Sequence, residues 1–171
     1  MKHLLFLSIA LAGLSFAATG ARAAGQSDHG HAHAQQSPVP NALPLLVVNR
    51  SPSCGCCLNW VAHMREAGFT VEVRNVADMG AVKARLGVPD TMRSCHTGEV
   101  DGYFVEGHVP ADDIKRLLTE RPDALGLAVP GMPMGSPVME HPAGHAQPYD
   151  VMLVDETGNS VHSSHGGGAA H

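Results

Sequence analysis

Residues 45–76 read LLVVNRSPSCGCCLNWVAHMREAGFTVEVRNV. Leu45 to Asn49 is a short apolar, β-branched run, which predicts a buried strand. Three thiols then fall within four positions, at Cys54, Cys56 and Cys57. After them Cys57, Val61, Met64 and Gly68 recur at helical spacing, with Gly68 suited to stop the helix. Phe69 to Val76 alternates apolar and polar residues, as a strand with one solvated face does. A strand, a C-x-x-C turn, a helix and a second strand form the element order of a thioredoxin-like domain. The fold class predicted here is therefore α/β, and thioredoxin-like.

The pattern continues downstream. Asp78 can cap a short helix through Leu86, closed by Gly87 and Pro89. TMRSCHTGE, residues 91–99, reads as a loop, and a strand follows around Tyr103 to Val105. Pro110 opens a further helix, with Asp112 and Asp113 near its positive end and Ile114, Leu117 and Leu118 on one face. Residues 129–145, VPGMPMGSPVMEHPAGH, are too rich in Pro, Met and Gly for a minimal version of that fold and read as an added C-terminal lobe. One more apolar run, Val151 to Val154, precedes a Gly/His-rich end. The expected domain spans residues 44–156, between a disordered His-containing leader at 24–43 and a flexible tail at 157–171.

The first residues address the chain. Lys2 and His3 precede an apolar run from Leu4 to Ala18, and Ala21-Arg22-Ala23 gives a small-x-small cleavage pattern. The run is shorter than the roughly 20 residues a spanning helix needs. A secretory signal over residues 1–23 is expected, leaving 148 residues without a membrane span and, in a Gram-negative host, in the periplasm. Cleavage removes Lys2 and Arg22 and leaves nine basic residues against 16 acidic, a net charge of −7 with histidine neutral. No basic stripe remains to neutralise phosphates, so nucleic acid is excluded as a partner. The composition, with 12 histidines and eight methionines, is rich in metal donors.

The sulfur spacing sets the chemistry. Two disulfides are the simple expectation for four cysteines in an exported chain. Bridging the neighbours Cys56 and Cys57 would strain the chain, and a redox-type Cys54–Cys57 pair leaves Cys56 and Cys95 over. Redox use needs two sulfurs, whereas metal use welcomes three or four. A helix N-terminus stabilises thiolates, the form that binds metal, and bridging thiolates suit Cu(I). A structural disulfide with a spare thiol is the plainer alternative. Cys95-His96 precedes the third predicted strand, where a thioredoxin-like fold would bring it to the first cluster. His108 closes that strand as a further nitrogen donor. Met132, Met134, Met139, His141 and His145 add thioethers and imidazoles in the lobe, and His29 to His33 (HGHAH) and the terminal histidines could capture metal weakly. Met64 reads as core. No second C-x-x-C at zinc-ribbon spacing, no G-x-S-x-G and no phosphate-binding glycine motif occurs.

Three motifs in order, SCGCC, RSCHTGEVDGYFVEGHVPADDIKRLL and GLAVPGMPMGSPVME, resemble the CopG-like family of small exported proteins from bacterial copper and silver resistance clusters. The resemblance runs from about Leu45 to Asp155. It implies a thioredoxin-like fold and copper held in a polynuclear, cysteine-centred cluster. By motif it assigns Cys54, Cys56, Cys57, Cys95 and His96 as ligands, with His108 as a further candidate. Val138 departs from the family's glycine before Met-Glu.

The expected function is an exported copper-resistance protein holding more than one Cu(I) in a thiolate cluster. Enzymatic activity is left open: copper redox cycling is a hypothesis resting on the redox-type scaffold. A thiol–disulfide oxidoreductase and a copper metallochaperone are the alternatives. Copper ions are the expected partners, with a copper efflux system or other periplasmic copper proteins beside them.

Overall fold

Leu46–Arg50 forms β1, and the chain turns through the cysteines into α1, Gly55–Glu66. The computed structural model describes residues 42–166. The expected signal, the leader up to residue 41 with its HGHAH run, and residues 167–171 lie outside the described residues. After α1 come β2 (Val71–Asn75), α2 (Met79–Arg85), a 3-10 turn (Asp90–Met92), β3 (His96–Val100), β4 (Tyr103–Glu106) and α3 (Ala111–Glu120). β5 (Gly126–Ala128), β6 (Tyr149–Asp155) and β7 (Gly158–His165) complete the element order. The expected mixed α/β class is observed.

The strands make one seven-stranded sheet in the order β2-β1-β3-β4-β5-β6-β7. β1 runs parallel to β2 and antiparallel to β3. β4 is antiparallel to β3 and parallel to β5, and the last two pairings are antiparallel. The period of two along each strand sorts side chains between two faces. Leu46, Val48, Val105 and Leu127 join Trp60, Val61 and Met64 of α1 and Ile114 and Leu117 of α3 in the main core. Phe104, Ala128 and Val154 point the other way and pack with Val88 and Met92. Met64 is core, as its spacing predicts.

The local signals explain most boundaries. α1 stops two residues before Gly68, whose φ is 99°, and Phe69 N–H closes the turn on the Met64 carbonyl at 3.0 Å. The Asp78 carboxylate accepts from Ala81 N–H at 3.0 Å and starts α2. α3 opens after Pro110 with Asp112 and Asp113 in its first turn, where the helix dipole favours acids.

Two expectations are corrected. Residues 96–99 of the stretch read as loop belong to β3, which pairs with both β1 and β4. The overlooked signal is Asp101-Gly102, with φ of 46° and 90°, the two-residue hairpin turn whose right-handed twist matches its strands. The 157–171 tail is likewise not free over its first part, because β7 pairs with β6 along Gly158–His165. Its polar sequence hides this, because β7 holds on by backbone pairing and by side chains reaching α3. Ser163 Oγ donates to Asp113 Oδ1 at 2.7 Å, and His165 Nε2 lies 2.7 Å from Asp113 Oδ2.

The Pro/Met/Gly segment between β5 and β6 contains turns and irregular backbone and no helix or strand. Val138 within it has φ of 65°, a region that costs a β-branched residue free energy. That conformation accounts for the glycine the resemblance leads one to expect there.

The hairpin assignment is tested by Gly102→Ala. The added methyl meets nothing within 4 Å, so only the left-handed backbone penalises it. We expect a loss of about 1 kcal/mol and a thermal midpoint lowered by about 4 °C. An unchanged midpoint would mean that the turn is not held in that conformation.

Candidate metal centre

The end of β1 delivers the cysteines, and Arg50 organises their loop. Its buried guanidinium donates to the carbonyls of Pro52 at 3.0 Å and Cys54 at 2.6 Å, and to Asn75 Oδ1 at 2.8 Å. Cys54 occupies the N-cap of α1 in extended conformation and makes no side-chain cap bond, and no acid stands in the first turn. The first N–H groups of α1 are therefore left without a side-chain acceptor or a nearby acid.

Cys54 and Cys57 are joined by a disulfide, with their Cα atoms 5.7 Å apart. This is the C-x-x-C pairing that leaves Cys56 and Cys95 as free thiols. Cys56 Sγ sits 3.4 Å from Cys54 Sγ and 4.0 Å from the Met132 sulfur. Cys57 is fully buried, its sulfur 3.9 Å from the Cys95 carbonyl. All four cysteine sulfurs lie within 4.8 Å of one another.

Cys95 belongs to a second group as well. Its sulfur lies 3.2 Å from His96 Nδ1 and 3.3 Å from His108 Nε2. Both imidazoles are fully buried. His96 is tilted against the Trp60 ring with centroids 4.4 Å apart, and its Nε2 is buried without a partner. His108 Nδ1 meets the Pro137 carbonyl at 3.0 Å, so the irregular segment after β5 fixes this ring from outside. Between Glu106 and His108, Gly107 has φ of 74°. A Cβ there would stand 2.6 Å from the Val129 carbonyl oxygen and 2.7 Å from Ser94 Cβ, so glycine alone permits this close approach.

Burial decides the protonation states. It lowers the His96 pKa to about 3, with His108 and then Lys83 adding repulsion. His108 is lowered as well, chiefly by burial. Burial raises the Cys95 thiol to about 11, with Cys56 the next cause. At neutral pH the metal-free group thus holds two neutral imidazoles, ready as ligands, beside a thiol whose proton a metal must displace.

The four cysteines, His96 and His108 are thus brought together, and Met132 joins them at Cys56. His141 and His145 meet at a tilt, with ring centroids 5.3 Å apart, in the exposed part of the lobe. The Met134 and Met139 carbonyls accept bonds that close the lobe's own turns. His162 and His165 are engaged by Arg116 and Asp113. Sequence reasoning missed Arg50, Trp60, Lys83, Thr97 and Glu106. A signal existed for Glu106, a lone acid closing the otherwise apolar run of β4.

A family described as a protein of unknown function, DUF411, matches residues 92–139, a stretch holding Cys95, His96, His108 and Met132. Two solved structures, titled copper resistance protein copG, form 1 and form 2, are each 49% identical to this chain with a TM-score of 0.68. Each match covers 72% of this chain and 98% of the solved one. No curated protein matches.

The buried imidazoles predict an acid-sensitive fold. Unfolded histidine takes a proton near pH 6.5, whereas folded His96 resists protonation down to about pH 3. The unfolded state therefore binds more protons in that window, and stability falls as pH drops below about 6.5. For His96 alone the slope reaches up to ~1.4 kcal/mol per pH unit. Urea denaturation of copper-free protein at pH 7, 6 and 5 should show a falling midpoint; a flat profile would contradict the neutral, buried assignment.

Proposed function

We propose that this chain, which belongs to the family of the copper resistance protein CopG, binds copper, as Cu(I), at the sulfur cluster at the start of α1. The observation that carries the reading is the clustering itself. Four cysteine sulfurs lie within 4.8 Å of one another, and one of them is shared with two neutral imidazoles. Thiolate and thioether donors select Cu(I), and imidazole also suits copper. Cys54, Cys56, Cys57 and Cys95 are the proposed thiolate ligands, with His96 and His108 completing the set. Six donors exceed what one Cu(I) uses, which supports more than one ion per chain.

Several further readings belong with this one. The first four strands, in the order β2-β1-β3-β4 with the C-x-x-C opening α1, support a thioredoxin-like core extended by β5 to β7 and the Met-rich lobe. We place the protein in the periplasm, exported by the signal over residues 1–23, and within reach of a copper efflux system or other periplasmic copper proteins. Among the described residues no helix is long and apolar enough to cross a membrane. Redox cycling between Cu(I) and Cu(II) and transfer of copper to a partner are activities this site could serve.

One observation favours a second reading. The Cys54–Cys57 bridge is the arrangement of a thiol–disulfide oxidoreductase, for which those two sulfurs suffice and metal is incidental. Cys56 discriminates between the two. Protein isolated anaerobically from copper-fed cells should carry more than one copper per chain, little zinc and few free thiols. Cys56→Ser should lose at least one copper while keeping its fold. Unchanged copper content together with undiminished disulfide reduction in Cys56→Ser would establish the oxidoreductase reading instead.

A further inference from the structure

Glu106 closes β4 with its side chain wholly out of water. Its carboxylate has three donors. Ser94 N–H approaches at 2.6 Å and Thr97 Oγ1 at 2.6 Å. The third, Lys83 Nζ from α2, forms a buried ion pair with it and also donates to Thr97 Oγ1 at 3.0 Å. Ser94 and Thr97 are the residues on either side of Cys95-His96. Glu106 is itself two residues before His108, and the intervening Gly107 N–H donates to the His96 carbonyl at 3.0 Å.

We infer that Glu106, held by Lys83, is a positioning residue that sets the spacing of Cys95, His96 and His108. Its carboxylate grips the chain on both sides of the Cys95-His96 pair and fixes its own strand end to the same frame. Fold stability does not require the pair, because an apolar pair of similar volume is commonly as stable as a buried ion pair or more so. A leucine at 106, however, offers no acceptor to Ser94 N–H or the Thr97 hydroxyl. The loop would lose both anchors while the core stayed filled. Residues that orient ligands through hydrogen bonds typically change metal affinity 10–100-fold when removed. The inference rests on the copper reading for its affinity readout only.

The test uses the full chain with Lys83→Met and Glu106→Leu combined. Three quantities are measured: thermal midpoint, Cu(I) affinity by competition with a chromophoric chelator, and emission of the copper-free protein. Trp60 is the sole tryptophan and packs on His96, so its emission reports the ring's placement without metal. We expect a cooperative thermal transition at a lower midpoint, because Ser94 N–H and the Thr97 hydroxyl lose their acceptor, with Cu(I) binding weakened about 10-fold or more and shifted Trp60 emission. Unchanged affinity and unchanged emission would overturn the inference. Should the double variant fail to fold, Thr97→Val and Thr97→Ser decide. Serine should preserve affinity and emission and valine should not, and a valine variant equal to the parent in both overturns it. A parent protein that binds no Cu(I) would remove the copper reading instead, and Trp60 emission would still decide the positioning role.

Discussion

A carboxylate placed beyond the reach of water must find its hydrogen bonds inside the protein, and Glu106 is such a carboxylate. Left without partners, a buried charge costs several kcal/mol, comparable with the whole stability margin of a small domain. Four parts of the chain therefore have to meet around it. α2 must lie where Lys83 reaches the sheet, β3 must present Thr97, the loop before β3 must offer Ser94 N–H, and β4 must end at residue 106. Those conditions bring Cys95, His96 and His108 to one place. The core face of the sheet and the edge that carries Cys95, His96 and His108 are joined at this side chain.

The opposite wall of the site is fixed by a different balance. α1 begins without a side-chain cap, giving up about 1 kcal/mol. Trp60, Val61 and Met64 are fully buried on its inner face, at about 2 kcal/mol each, so packing outweighs the missing cap several-fold. The helix therefore tolerates first N–H groups that have no side-chain acceptor. Arg50 adds rigidity by holding the Pro52 and Cys54 carbonyls, and the sulfurs gather at a fixed end of a fixed helix.

Much of this was legible in the sequence, for reasons that differ by residue. The strand, thiol turn and helix of residues 45–66 announce themselves because apolar periodicity and a C-x-x-C are local signals. The proximity of Cys95, His96 and His108 was legible only through the expected strand order. β3 was missed because Thr97, Gly98 and Glu99 show no apolar alternation; Thr97 and Gly98 are buried by pairing with neighbours distant in sequence. β7 was missed for the same cause: its residues are mostly polar, and its hold on Asp113 spans about 50 positions. Lys83 and Glu106 could not be recognised as a pair, since Lys83 reads alone as a surface charge and the apolar run that Glu106 closes does not name its partner. Their meaning exists only across a separation of 23 positions in the chain.

Cys95 is the hinge of the chemistry because it belongs to both donor groups. With Cys54 and Cys57 bridged, the sulfurs left as thiols are Cys56 and Cys95, and the Cys95, His96 and His108 group stays complete. Two electrons and two protons added to the bridge return two more thiols within 4.8 Å of the others. Under the copper reading, metal that binds the reduced set better than the bridged one stabilises the thiols by mass action. By reciprocity the bridge weakens metal binding to the same degree. On that reading, metal capture and thiol exchange draw on the same two sulfur atoms, and copper binding would follow the redox poise around the protein. Cys56 is the residue that separates these roles, because thiol exchange at the bridge has no need of it whereas a cluster does.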